Sequence, residues 1–145
     1  MESLLISACL VGFECKYCGG SNKLPAQCLE KLGAKYRLIP VCPETAGGLP
    51  TPREPSEIMG ERVYSRLGMD VTAQYRKGAE TALWLCRKYG CTKALMKERS
   101  PSCGSGLIYD GSFSGRLTHG DGVAAAMLKA AGIQVYGENS IEKLI

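Results

Sequence analysis

Four short apolar runs alternate along this chain with segments of helical periodicity, and that alternation leaves few folds open. The runs lie at Leu4-Leu5-Ile6-Ser7, Lys35 to Val41, Lys93 to Lys97 and Ile133 to Tyr136. Between them, Leu24, Cys28, Leu29 and Leu32 share one helical face, and Tyr75, Ala79, Ala82, Leu83 and Cys86 share another. A third helix is expected over Val123 to Ala131, closed by Gly132. Strands that alternate with helices predict right-handed βαβ units and hence an α/β domain. The expectation is a single domain over residues 1–145: a three-layer, Rossmann-like fold with a mostly parallel sheet of about four to five strands.

Punctuation supports these bounds. Pro25 sits where a first helical turn tolerates proline, and Gly33 is the expected stop of that helix. Asp70 or Thr72 is the expected cap of the long helix, and Gly90 its left-handed stop. Arg62 to Leu67 reads as a short strand or half of a hairpin, Tyr109-Asp110-Gly111 as a small hairpin, and Ser140 as the cap of a short terminal helix. From Cys42 to Met69 the chain carries four of its 7 prolines and reads as a long irregular loop, the kind that covers functional sites.

Cysteine placement points to chemistry. Cys9, Cys42 and Cys103 each follow an apolar run, in glycine- and proline-rich segments. Parallel strands share a carboxyl edge, and ligands bind there in open α/β sheets. Three thiols distant in sequence would then meet in one crevice, as a metal or iron–sulfur site with three protein ligands and one open position. The compartment bears on this reading. Met1-Glu2-Ser3 lacks the basic segment of a signal peptide, and no apolar run approaches the roughly 20 residues of a membrane span. A cytoplasmic protein with no membrane partner is expected, and in a reducing cytosol 8 cysteines are ligands, nucleophiles or core residues rather than disulfides. The net charge of +4 is too small to imply nucleic acid by itself.

Rival residues are few. Cys28 and Cys86 fall on apolar helix faces and read as core. Cys15-Lys16-Tyr17-Cys18 is a lone CxxC pair that, with Cys9, supports a zinc or structural-metal alternative, though no second pair completes a four-ligand site. His119 is the only histidine, which leaves little room for a histidine-based triad. Glu44, two residues beyond Cys42, is placed to act as a general acid or base, or else to cap a helix or form a salt bridge. Ser100 precedes Pro101 in the loop of Cys103, where its hydroxyl either bonds substrate or closes a turn. Arg53 and Lys97 are the nearest candidate binders of an anionic substrate, and the amides of Gly120 to Val123 form a candidate phosphate site.

Taken together, the motifs are more specific. Ser7-Ala8-Cys9-Leu10, Val41-Cys42-Pro43-Glu44, Gly47-Gly48-Leu49-Pro50-Thr51-Pro52-Arg53 and Lys97-Glu98 with Ser100-Pro101-Ser102-Cys103-Gly104 resemble the thiouracil desulfidase family. Asp70-Val71-Thr72, Ile108-Tyr109-Asp110-Gly111 and Gly120-Asp121-Gly122-Val123 match as well, so the resemblance covers nearly the whole chain. It implies a [4Fe-4S] cluster held by Cys9, Cys42 and Cys103, with a fourth iron that takes up the sulfur of a thiocarbonyl. It also implies non-redox replacement of that sulfur by oxygen in 4-thiouracil, its nucleotide or thiolated tRNA, and dependence on iron–sulfur assembly machinery. Glu44 and Ser100 match polar positions of the family's motifs. Cys18 departs from the pattern, standing where the family has a polar or acidic residue before glycine. The remaining alternative is a cluster-bearing binding or sensor protein without turnover.

Overall fold

The computed structural model describes residues 1–145. Its centre is a four-stranded, all-parallel sheet of β1 (Glu2–Ser7), β2 (Tyr36–Val41), β5 (Lys93–Met96) and β8 (Gln134–Gly137), in the order β2-β1-β5-β8. The register sets Ser7 opposite Val41 and Met96 opposite Gly137, so the carboxyl ends form one continuous edge. The chain steps from β1 outward to β2, then returns past β1 to β5. That reversal opens a crevice between the ends of β1 and β5.

Strand periodicity of two divides the interior. Leu5 packs with Ala79, Ala82 and Leu128 on the face covered by α3 (Thr72–Tyr89) and α4 (Val123–Ala130). Leu4 and Ile6 point the other way, onto Leu32 of α1 (Ala26–Lys35) and Leu144 of the C-terminal segment. Helix, sheet and helix thus make the three layers read from the sequence. No helix is long and apolar enough to cross a membrane.

Several local expectations shift. Helix α1 starts at Ala26 and runs through Gly33 to Lys35, because Gly33 faces open space and leaves the backbone ladder intact. Cys28 is half-buried rather than core, since Leu32 alone is fully inward on this helix, whereas Cys86 is buried as expected. Ser140 lies at a kink inside the 3-10 segment Glu138–Lys143 and caps nothing. The stretch from Cys42 to Met69 is more ordered than its prolines suggest. It holds α2 (Pro43–Ala46) and an antiparallel hairpin of β3 (Ser56–Met59) and β4 (Arg62–Ser65). A second hairpin, β6 (Leu107–Tyr109) with β7 (Leu117–His119), stands over the same edge. Gly90 does end α3, at φ 67°.

Candidate functional site

A cavity of about 530 Å³ opens at the carboxyl edge of the sheet, and Cys9, Cys42 and Cys103 all line it. Cys9 sits in the 3-10 turn Ala8–Val11 that follows β1 directly, closed by Gly12 at φ 107°. Cys42 lies between β2 and α2, where Pro43 starts the helix in a position proline suits. Cys103 comes from the loop after β5. Each sulfur has a polar neighbour. Asn22 Nδ2 donates to Cys9 Sγ (3.5 Å), Ser102 Oγ lies 3.6 Å from Cys103 Sγ, and Cys42 Sγ donates to the Cys15 carbonyl (3.8 Å). Burial pushes the Cys103 thiol up to about 12 and raises that of Cys9 as well, with Cys42 adding to the shift at Cys9. Ionising such a group of thiols requires positive charge in the cavity, which a bound metal centre supplies.

The neighbouring cysteines separate. Cys15 lines the cavity and its thiol is raised to about 12 by burial and then by Cys42, whereas Cys18 is exposed and outside it. No three His, Cys, Asp or Glu side chains stand close enough to share one metal ion. Cysteines from three strand ends line the cavity with no histidine among its lining residues, and an all-thiolate donor set fits an iron–sulfur cluster. All eight cysteines are free.

Beside the thiols, Glu44 is held from both sides. Its Oε1 accepts from Arg53 Nε (3.0 Å) and its Oε2 from Ser102 Oγ (2.9 Å). The Arg53 and Glu44 side chains are only 7% and 14% exposed, so this ion pair is largely removed from solvent screening. Ser100 Oγ accepts the amides of Ser102 and Cys103, both at 3.1 Å, and lies 3.0 Å from Ser102 Oγ. With its lone pairs taken by two amides, Ser100 is left to donate. The hydroxyls then read in one direction, Ser100 to Ser102 to Glu44. The single Ser102 proton has two acceptors, and the carboxylate at 2.9 Å is closer than the sulfur at 3.6 Å.

Arg53 and Lys97 line the cavity but are already engaged. Beyond Glu44, the Arg53 guanidinium donates to the Pro50 carbonyl (3.1 Å), Thr51 Oγ1 (3.0 Å) and the Cys15 carbonyl (2.8 Å). Lys97 Nζ pairs with Glu138 Oε2 (2.7 Å) and reaches the Glu98 carbonyl (3.3 Å). The expected phosphate site at Gly120 to Val123 is taken. Gly120, Gly122 and Val123 donate to the carbonyls of Gly106, Gly104 and Pro101, which seats the start of α4 on the Cys103 loop. His119 is exposed on β7 and does not line the cavity.

Sequence reasoning missed Ser102, Asn22 and Glu138. Ser102 had a signal, two residues from Ser100 and adjacent to Cys103. Nothing in the sequence ties Asn22 to the site, and only the fold turns it toward Cys9.

Known proteins bear on this geometry. The family model described as 2-thiouracil desulfurase matches residues 4–140. The solved structure of the [4Fe-4S]-dependent thiouracil desulfidase TudS superposes with a TM-score of 0.95 at 48% identity, covering 99% of this chain and 95% of that one. The uncharacterized protein YbbK of Bacillus subtilis (strain 168) is 39% identical over 152 residues, spanning 98% of this chain and 99% of its own. With the match running from the first strand past the last, and all three cavity cysteines inside it, the chain belongs to the 2-thiouracil desulfurase family.

Proposed function

We propose that this protein is a [4Fe-4S]-dependent desulfidase that exchanges the sulfur of a thiolated pyrimidine for oxygen and releases sulfide. One observation carries the reading: three cysteines from three strand ends line one cavity together with a carboxylate clamped in place. Cys9, Cys42 and Cys103 would hold the cluster. When bound, it supplies an iron without a protein ligand, a soft Lewis acid with affinity for sulfur. The N–H of Asn22 stabilises the thiolate of Cys9, as hydrogen bonds to cluster sulfurs do.

The protein's own groups manage the protons. Thiocarbonyl and water give carbonyl and hydrogen sulfide, with no net change in oxidation state. Glu44 is the group that takes a proton from the water adding to the carbon and returns one to the leaving sulfur. Arg53 keeps the carboxylate aimed, so it is a positioning residue rather than an anion binder. Ser100 and Ser102 orient the second carboxylate oxygen. Lys97, paired with Glu138, is a substrate-facing cation at the cavity wall, beside Lys16, Arg66 and Arg99.

The substrate is a free base, a nucleotide or a thiolated tRNA. A reducing cytosol suits eight free thiols, and iron–sulfur assembly machinery would load the cavity there. Sulfide release from 4-thiouracil, 4-thio-UMP and thiolated tRNA, measured side by side on anaerobically reconstituted protein, tests the reading and ranks the substrates. Turnover of at least one is expected. Tight binding of all three without sulfide release would instead make the protein a cluster-bearing sensor.

A further inference from the structure

Arg99 and Phe113 are the two non-glycine residues with left-handed backbone, at φ 67° and 55°, and both line the cavity. A bulky side chain rarely adopts that conformation, and it persists where the surroundings enforce it, commonly at ligand sites. At Phe113 the enforcing group is Glu57 of β3. Its Oε1 accepts the amides of Gly111 (3.0 Å) and Phe113 (3.1 Å), while the residue is only 9% exposed. A carboxylate is thus withdrawn from water to hold one turn of the β6–β7 loop. Gly111 lets that loop close on β3, since a Cβ there would stand 2.6 Å from Met59 Cγ and 2.8 Å from the Ile58 carbonyl oxygen.

The side chain carried by this turn does not serve the interior. Phe113 is half-buried, and it neither belongs to nor packs against any of the three apolar clusters. An aromatic residue whose backbone is fixed on a cavity wall outside the core supplies a surface on which a planar guest can stack. We propose that Phe113 is the surface on which the pyrimidine ring of the substrate stacks, and that Glu57 is its positioning residue. The proposal rests on the desulfidase reading above. Stacking selects flat heterocycles and adds to their binding before any bond changes.

The test uses cluster-loaded, full-length protein, with 4-thiouracil as substrate and uracil as a non-reacting probe. Phe113→Leu keeps most of the volume and removes the π face. The KM for 4-thiouracil and the calorimetric Kd for uracil are expected to rise roughly 10–100-fold, with kcat, thermal midpoint and cluster absorbance near the parent values. Phe113→Tyr is expected to restore both constants. Glu57→Ala should resemble Phe113→Leu, and Glu57→Gln, which keeps an acceptor for the two amides, should recover most of the loss. Parent-like KM and Kd in Phe113→Leu would overturn the stacking role, as would a loss confined to folding or cluster content. If the loaded parent releases no sulfide from 4-thiouracil, 4-thio-UMP or thiolated tRNA, the desulfidase reading fails, while the uracil titrations still decide whether Phe113 binds a pyrimidine.

Discussion

Glu44 owes its position to groups that only the fold brings together. Its distance of two residues from Cys42 was readable, and so was the chemistry a carboxylate offers beside a soft metal centre. The role of Arg53 was not, because its guanidinium meets the carbonyls of Cys15 and Pro50 as well as Glu44, and side-chain-to-backbone pairing over such separations leaves no sequence pattern. Glu44→Gln should keep the cluster spectrum and slow desulfuration by a factor on the order of 10²–10⁴, as read by steady-state sulfide release. Arg53→Ala removes one partner of a largely buried ion pair and leaves the carboxylate uncompensated. We expect it to lower unfolding stability by about 3–5 kcal/mol, measured by denaturant titration, and to depress kcat along with it.

Elements differ in how much they announced themselves. Helix α3 spans 18 residues with a regular apolar stripe and a left-handed glycine stop, so its length and C-terminal end were legible. Its N-cap is Val71, without a capping side chain, rather than the expected Asp70 or Thr72. Helix α2 has four residues and no periodicity to read, yet it carries Glu44. Its place is set by close backbone contact with α3. A Cβ on Gly78 would collide with the Pro43 carbonyl oxygen, and one on Gly47 with that of Gln74. Gly78→Ala should therefore push α2 off α3, costing about 1–3 kcal/mol and reducing iron bound per protein after reconstitution, because Cys42 moves with α2. The start of α3 is pH-sensitive. The hydroxyl and amide of Thr72, then Arg62, hold the Asp70 carboxyl down at about 2, against roughly 3.9 in an unfolded chain. A depressed carboxyl stabilises the fold above its unfolded value and ceases to do so as pH falls through its folded value. The drop in thermal midpoint caused by Asp70→Ala is thus expected to be largest above about pH 4 and to shrink toward pH 2.

At the scale of the whole molecule, the convergence of Cys9, Cys42 and Cys103 was the most legible feature, because parallel strands put every carboxyl end on one edge and each cysteine lay just beyond an apolar run. The two hairpins that stand over that edge were harder to foresee. Their strands have three or four residues each, and what holds the rim, such as Glu57 reaching the amides of Gly111 and Phe113, joins segments more than fifty residues apart. The substrate-facing wall is therefore where tertiary structure adds most to the sequence. The central claim is that three thiolates and one clamped carboxylate make this cavity a desulfidase site. Its most direct test is the stoichiometry of sulfide released to uracil formed from 4-thiouracil by anaerobically reconstituted protein, with the Cys103→Ser variant alongside. One sulfide per uracil from the parent, and none from the variant, is the expected result. A cluster-loaded parent that releases no sulfide from 4-thiouracil, 4-thio-UMP or thiolated tRNA, or a variant that turns over at the parent rate, would contradict it.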